Sequence, residues 1–189
     1  MQHGDKLNEL EKIIRSFFEK KDNELEQLVH KICERLRAGN KILVFGNGGS
    51  AAQAQHFASE LVNRFYRERP GLPAVALTTD TSSLTSIAND TSFDYVFSRQ
   101  IEALGRRGDI AIALSTSGNS TNVIEAMRAA RENGMTTIAL TGEGGGRIAG
   151  LSEFLLDIPS QDTPRIQEAH LFLLHLLAGE VEKRMEEEH

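Results

Sequence analysis

Cysteine is nearly absent: Cys33 is the one thiol in 189 residues, so no internal disulfide can form and a disulfide-stapled scaffold is excluded. Cys33 falls on the helically spaced stripe Leu25, Leu28, Val29, Ile32, Cys33 and Leu36 and reads as a small core residue. Long apolar runs are also missing. Leu171 to Ala178 is short and broken by His175, against the roughly 18 to 20 residues a bilayer span needs, so no membrane segment is expected. Nor is there an excess of positive charge. The 21 basic and 27 acidic residues leave a net charge of -6, which argues against a broad nucleic-acid surface. The start, Met1-Gln2-His3-Gly4-Asp5-Lys6, turns charged at once and lacks the apolar stretch of a secretory leader, which predicts a cytoplasmic protein. Nucleotide-binding signatures are lacking too: no loop has the GxxxxGK[ST] spacing, and none has GxGxxG followed by a ribose-binding acid, so no nucleotide cofactor is expected.

What is present is 40% hydrophobic and 25% charged residues, enough for one globular domain with a sizeable core. Residues 5 to 37 read as helix, with Leu7, Leu10, Ile14, Phe17 and Phe18 on one stripe and the Cys33 stripe following the polar stretch Lys20-Lys21-Asp22-Asn23, either as one bent helix or as two. Strands are predicted near 41–45, 74–78, 109–114, 135–140 and 154–158, and helices near 50–65, 81–89, 94–104 and 119–133. This alternation predicts an α/β fold, a five-stranded parallel sheet covered on both faces. Gly134 reads as a helix stop, and a final helix begins near Pro164 and runs to about Glu186. Both terminal helices are apolar over more surface than an outer layer needs, which predicts burial against another copy.

Two strand-loop-helix junctions carry the chemistry. After the first strand comes Gly46-Asn47-Gly48-Gly49-Ser50-Ala51-Ala52, where glycines allow a sharp turn and close backbone approach while the next helix aims its positive end at an anion. In that helix His56 and Glu60, four apart, share a face, either as a polar i,i+4 pair or as functional groups. After the third strand comes Ser115-Thr116-Ser117-Gly118-Asn119-Ser120, with four hydroxyls in six residues. Ordinary helix capping and phosphate binding both account for them. Open parallel sheets bind ligands at the carboxyl ends of their strands, so the two loops can face one crevice that takes a small phosphorylated metabolite. The third element is Arg165-Ile166-Gln167-Glu168-Ala169-His170, followed by His175 within an apolar segment.

At these residues the chain closely resembles the sugar isomerase (SIS) domain family and, within it, the phosphoheptose isomerases, over nearly its whole length. GNGGSAAQAQHFASEL, SIAND, STSGNS and RIQEAH with His175 occur in the family's order and spacing. The resemblance implies a single SIS domain over 1–189 with a flavodoxin-like three-layer core at about 40–160, helices at about 5–37 and 164–186 serving oligomerisation, and a homotetramer whose sites draw on more than one subunit. It implies an enzyme that converts sedoheptulose 7-phosphate to D-glycero-D-manno-heptose 7-phosphate, an early step in making heptose precursors such as those of lipopolysaccharide. Substrate contacts would come from Asn47, Gly48, Gly49, Ser50, Asn89 and Asp90, with Ser115, Thr116, Ser117 and Ser120 on the phosphate. One zinc ion (Zn2+) per subunit is implied, bound by His56, Glu60, Gln167 and His175, with Glu60 and Gln167 also touching substrate. Gln167 and His175 lie eight residues apart, about 12 Å of helix rise, a long reach for two ligands of one ion. Where some members carry an acid before Arg-Ile-Gln this chain has Pro164, and nearby Asp162 is unmatched.

Ketose and aldose interconvert when a base takes the C1 proton and the resulting enediol is reprotonated at C2, and two acid/base groups suffice. Glu60 is the candidate base and His175 its acid/base partner, although tight zinc ligation would lower the basicity of Glu60. Two other readings remain open at this stage. Related non-catalytic tetramers bind the replication initiator protein, but lack the acid at Glu60 and the histidine at His175. Sugar-phosphate sensors carry SIS domains beside helix-turn-helix segments, and no such segment accompanies this one.

Overall fold

A computed structural model describes residues 3–187. Five strands, β1 (Ile42–Gly46), β2 (Ala74–Ala76), β3 (Ile110–Ser115), β4 (Thr136–Thr141) and β5 (Phe154–Asp157), pair in parallel in the order β2-β1-β3-β4-β5. Helix α1 (His3–Arg37) precedes them and α6 (Thr163–Glu187) follows. Between the strands lie α2 (Gly49–Val62), α3 (Thr81–Asp90), α4 (Ser98–Leu104) and α5 (Thr121–Glu132). The predicted five-stranded parallel sheet is what forms. Among the described residues, no helix is long and apolar enough to cross a membrane.

The sheet's two faces follow from the period-2 alternation of its side chains. Ile42, Val44, Ile110, Ile112, Leu114, Ile138 and Leu140 point to one side and pack against α1, α2 and α6. Leu43, Phe45, Ala111, Ala113 and Ala139 point to the other, where the small alanines leave room for Val123, Ile124 and Met127 of α5. All five residues of β1 and all six of β3 and of β4 are buried, as a sheet covered on both faces requires.

Residues 3–37 form one helix, and the polar stretch inside it has a partner. Lys21 donates to the carbonyl of Leu155 at 2.9 Å and pairs with Asp157 at 3.2 Å, while Glu24 accepts from the Leu155 N–H at 3.1 Å. The polar residues therefore satisfy the open edge of β5, the last strand of the sheet, where an apolar stripe would leave its backbone unpaired.

Three predicted boundaries move, each for a local reason. The 94–104 helix splits into a 3-10 turn at Phe93–Tyr95 and α4, and the buried Gln100 of α4 donates to the Leu77 carbonyl and to that of Val96 in the break. The 50–65 helix stops at Val62, where Asn63 leaves helical geometry. The 119–133 helix starts at Thr121 because Ser117 to Asn119 form a turn of their own. Gly134, at φ +70, ends α5 as predicted, with the Met135 N–H bonded to the Ala130 carbonyl.

Candidate active site

The chain leaves β1 to one side to make β2 and returns on the other to make β3, so the sheet's switch point lies between β1 and β3. The loops following those two strands flank the crevice that such a point creates. They are tied to each other: Asn47 and Asn122 exchange two amide hydrogen bonds, both 2.9 Å, across the gap. Gly46 permits the approach, since a Cβ there would lie 2.6 Å from the Leu114 carbonyl oxygen. Gly48 turns the chain at φ +54 ahead of α2.

The β3–α5 loop is braced from below by the glycine run that follows β4. Gly118 sits at φ +63, and a Cβ there would come within 2.0 Å of the Gly145 carbonyl oxygen. The Gly142 N–H bonds to the Thr116 carbonyl at 2.9 Å, and Asn119 accepts from the Arg147 N–H at 3.0 Å. Ser115 is buried and Ser117 accepts from the Asn119 N–H. Ser120 stands at the N-cap of α5, yet its hydroxyl makes no capping bond. The α5 N-terminus and the hydroxyls around it converge at the crevice, an arrangement suited to an anion.

Gln167 joins this cluster from α6. Its amide lies against Gly49, so that a Cβ on Gly49 would fall 2.7 Å from the amide nitrogen, and Gln53 donates to the Gln167 carbonyl at 2.7 Å. Asn89 and Asp90 stand apart from it. They end α3, are exposed, and hydrogen-bond to each other at 2.8 Å.

His56, Glu60 and His175 form a second cluster where α2 and α6 run side by side. The two histidine Nε2 atoms are 2.8 Å apart, and His56 Nε2 lies 3.4 Å from Glu60 Oε1. Phe65 stacks on the His175 ring, with centroids 5.6 Å apart. From Gly49 to Glu60 is eleven residues, about 16 Å along α2, and from Gln167 to His175 about 12 Å along α6. One protomer thus carries its phosphate-type loops and its His/Glu cluster well apart.

The implied zinc site does not form. Among the described residues, no group of three or more His, Cys, Asp and Glu side chains is placed to hold a metal ion. Gln167 is engaged at Gly49, a long way up α6 from His175. His56 and His175 face each other directly at 2.8 Å, whereas two ring nitrogens on one tetrahedral zinc would sit roughly 3.3 Å apart. The residues present do not fit the ion, and the zinc expectation for His56, Glu60, Gln167 and His175 is withdrawn.

Sequence reasoning passed over several residues that shape these clusters. Asn122, buried beneath the hydroxyl loop, ties it to Asn47. Its only signal was an amide just past the STSGNS motif. Glu182, 1% exposed on α6, accepts from the backbone N–H groups of Phe65, Tyr66 and Arg67 and from Arg69 Nε. Burial pushes its pKa up, but those hydrogen bonds and the Arg69 charge outweigh it and hold the carboxyl below its ordinary value. Nothing near Glu182 in sequence marks it, because its partners lie more than a hundred residues away.

The SIS domain family matches residues 7–142. The phosphoheptose isomerase of Desulfovibrio desulfuricans is 56% identical over 86% of this chain and 77% of its own length. Among solved structures, the phosphoheptose isomerase of Neisseria gonorrhoeae superposes with a TM-score of 0.89 at 44% identity, covering 95% of this chain and 96% of that one. That of Francisella tularensis gives 0.83 at 35% identity, covering 97% and 100%. The chain belongs to the SIS domain family and, within it, to the phosphoheptose isomerases.

Proposed function

We propose that the chain converts sedoheptulose 7-phosphate to D-glycero-D-manno-heptose 7-phosphate through an enediol, with Glu60 and His175 moving the protons. The observation that carries this reading is the contact of a carboxylate with two imidazoles, His56 Nε2 lying 2.8 Å from His175 Nε2 and 3.4 Å from Glu60 Oε1. A carboxylate supplies the base, and two imidazoles facing through Nε2 share one proton that passes between them. Glu60 takes the C1 proton, exchanges it with solvent while the enediol is bound, and delivers a proton to C2. His175 gives a proton to the C2 oxygen as the carbonyl electrons move there, and recovers one from the C1 hydroxyl. Protons balance, and the cycle needs no redox partner.

The 7-phosphate is held by Ser115, Thr116, Ser117 and Ser120 at the α5 N-terminus, where backbone and hydroxyl donors neutralise it without a buried lysine. Asn47, Gly48, Gly49, Ser50 and Gln167 line the sugar, and Asn89 and Asp90 contact it from the end of α3. Because the loops and the His/Glu cluster of one protomer are separated by more than 10 Å along their helices, the working site is completed between copies in a homotetramer. Two surfaces support the assembly. An open groove of about 470 Å3 runs past His175, with Tyr66 at 77% and Phe172 at 44% exposure on its walls. Helix α3 buries no residue of its own. The relatives named above are isomerases, which favours catalysis over initiator binding or sugar-phosphate sensing.

Glu60→Gln tests the assignment. The amide keeps the size and polarity of the side chain but cannot take a proton, so turnover should fall by at least about a hundredfold, the lower bound for losing a general base. Circular dichroism and the assembly mass should remain those of the parent. A fully active Glu60→Gln enzyme would remove Glu60 as the base.

A further inference from the structure

Two residues absent from every motif above connect to both proton-transfer groups. Arg69 and Glu182 form an ion pair at 3.1 Å, with side chains 4% and 1% exposed. Arg69 also donates from Nη2 to the Glu60 carbonyl at 2.9 Å and from Nη1 to the Leu61 and Pro70 carbonyls at 2.8 and 3.1 Å. The Glu60 and Leu61 carbonyls belong to the last turn of α2, where no further turn of helix exists to receive them. Glu182 meanwhile gathers the N–H groups of Phe65, Tyr66 and Arg67 at 2.9, 2.7 and 3.1 Å. That places the Phe65 ring on His175, 28° from parallel. Gly179 opens the space, since the Phe65 and Tyr66 rings pass 3.4 to 3.6 Å from where its Cβ would be.

We propose that the Arg69–Glu182 pair is the positioning element of the proton-transfer site, setting Glu60 through its backbone carbonyl and His175 through the stacked ring of Phe65. It rests on the assignment of Glu60 and His175 as the proton-transfer pair. The design is economical in contacts: Glu182 sits on α6 seven residues beyond His175, so the helix that carries the acid also anchors the segment that fixes the base. Neither Arg69 nor Glu182 touches substrate in this account. A simple packing role would need only an apolar pair of the same volume, whereas here Arg69 donates to the carbonyl of the base and Glu182 accepts from the backbone N–H groups of Phe65, the acid's ring partner, and of the two residues after it.

The test uses Arg69→Lys and Phe65→Leu, with Phe65→Tyr as the conservative partner, in the full chain. Lysine keeps the charge opposite Glu182 but cannot span the Glu60 and Leu61 carbonyls together. The expected result is a kcat lower by about tenfold or more, the scale of a sub-ångström misplacement, with KM for sedoheptulose 7-phosphate within about twofold of the parent. Phe65→Leu should lose kcat in the same way, and Phe65→Tyr should restore it. Parental kcat in folded Arg69→Lys and Phe65→Leu would overturn the proposal. So would a loss of activity that vanishes once rates are corrected for folded fraction, which is what a purely structural pair would give. Glu60→Gln run alongside separates the two failures: if it is active, the assignment of the base fails; if it is inactive while Arg69→Lys is fully active, only the positioning role fails.

Discussion

His170 shows how a residue inside the family motif can serve the fold. It is fully buried on α6, and its Nε2 lies 3.0 Å from the Thr141 carbonyl, so the neutral ring donates there. Burial, only partly offset by that bond, lowers its pKa from 6.5 to about 4. The unfolded chain therefore takes up this proton below about pH 6.5, while the folded chain resists until about pH 4. Stability from this group is complete above pH 6.5 and is lost as pH falls toward 4, about 2 kcal/mol of it by pH 5. Denaturant unfolding at pH 7 and pH 5 should show that drop, and His170→Gln should flatten it. An unchanged slope in the variant would place the acid sensitivity elsewhere. The motif RIQEAH contains Gln167 and His170, one directed at Gly49 and one buried in the core, and sequence alone does not sort them. Helical phase separates them only once the position of the sheet is known.

Among the elements, the loops are where sequence and structure agree most closely. Glycines and hydroxyls at the ends of β1 and β3 announced their geometry because a sharp turn at a strand's carboxyl end limits which residues fit. What stayed hidden was their bracing. The glycine-rich turn at 142–146 packs under the hydroxyl loop with backbone against backbone. Gly118→Ala tests this bracing. Its Cβ would sit 2.0 Å from the Gly145 carbonyl oxygen at a positive φ, so the loop must move away from the glycine run. KM should rise about tenfold or more, the scale of one lost charge-assisted hydrogen bond to phosphate, with kcat little changed. An unaltered KM would place the phosphate outside this loop. Helix α1 gave the opposite difficulty: its polar stretch left one bent helix and two helices equally open, and the edge of β5 explains why a single helix runs through it.

On the scale of the whole molecule, the doubly wound sheet was legible because each strand is bounded by turn signals and each helix has an apolar face. The separation between the crevice and the His/Glu cluster was legible only as helix rise along each helix, and the packing of α2 beside α6 was not. The eight-residue spacing of Gln167 and His175 already strained the implied zinc set, and the direct 2.8 Å approach of His56 to His175 added what the motifs did not carry. The separation of the two clusters on one protomer is what the proposed homotetramer would have to close. The reaction proposed for these residues moves hydrogen from C1 to C2 of a ketose phosphate by way of a solvent-exchanging base. Proton NMR of sedoheptulose 7-phosphate incubated with the purified protein in deuterated water tests it directly. The account predicts the aldose heptose 7-phosphate with deuterium at C2, formed by the parent and not by Glu60→Gln. Folded, assembled protein that yields neither the aldose nor any exchange would contradict it.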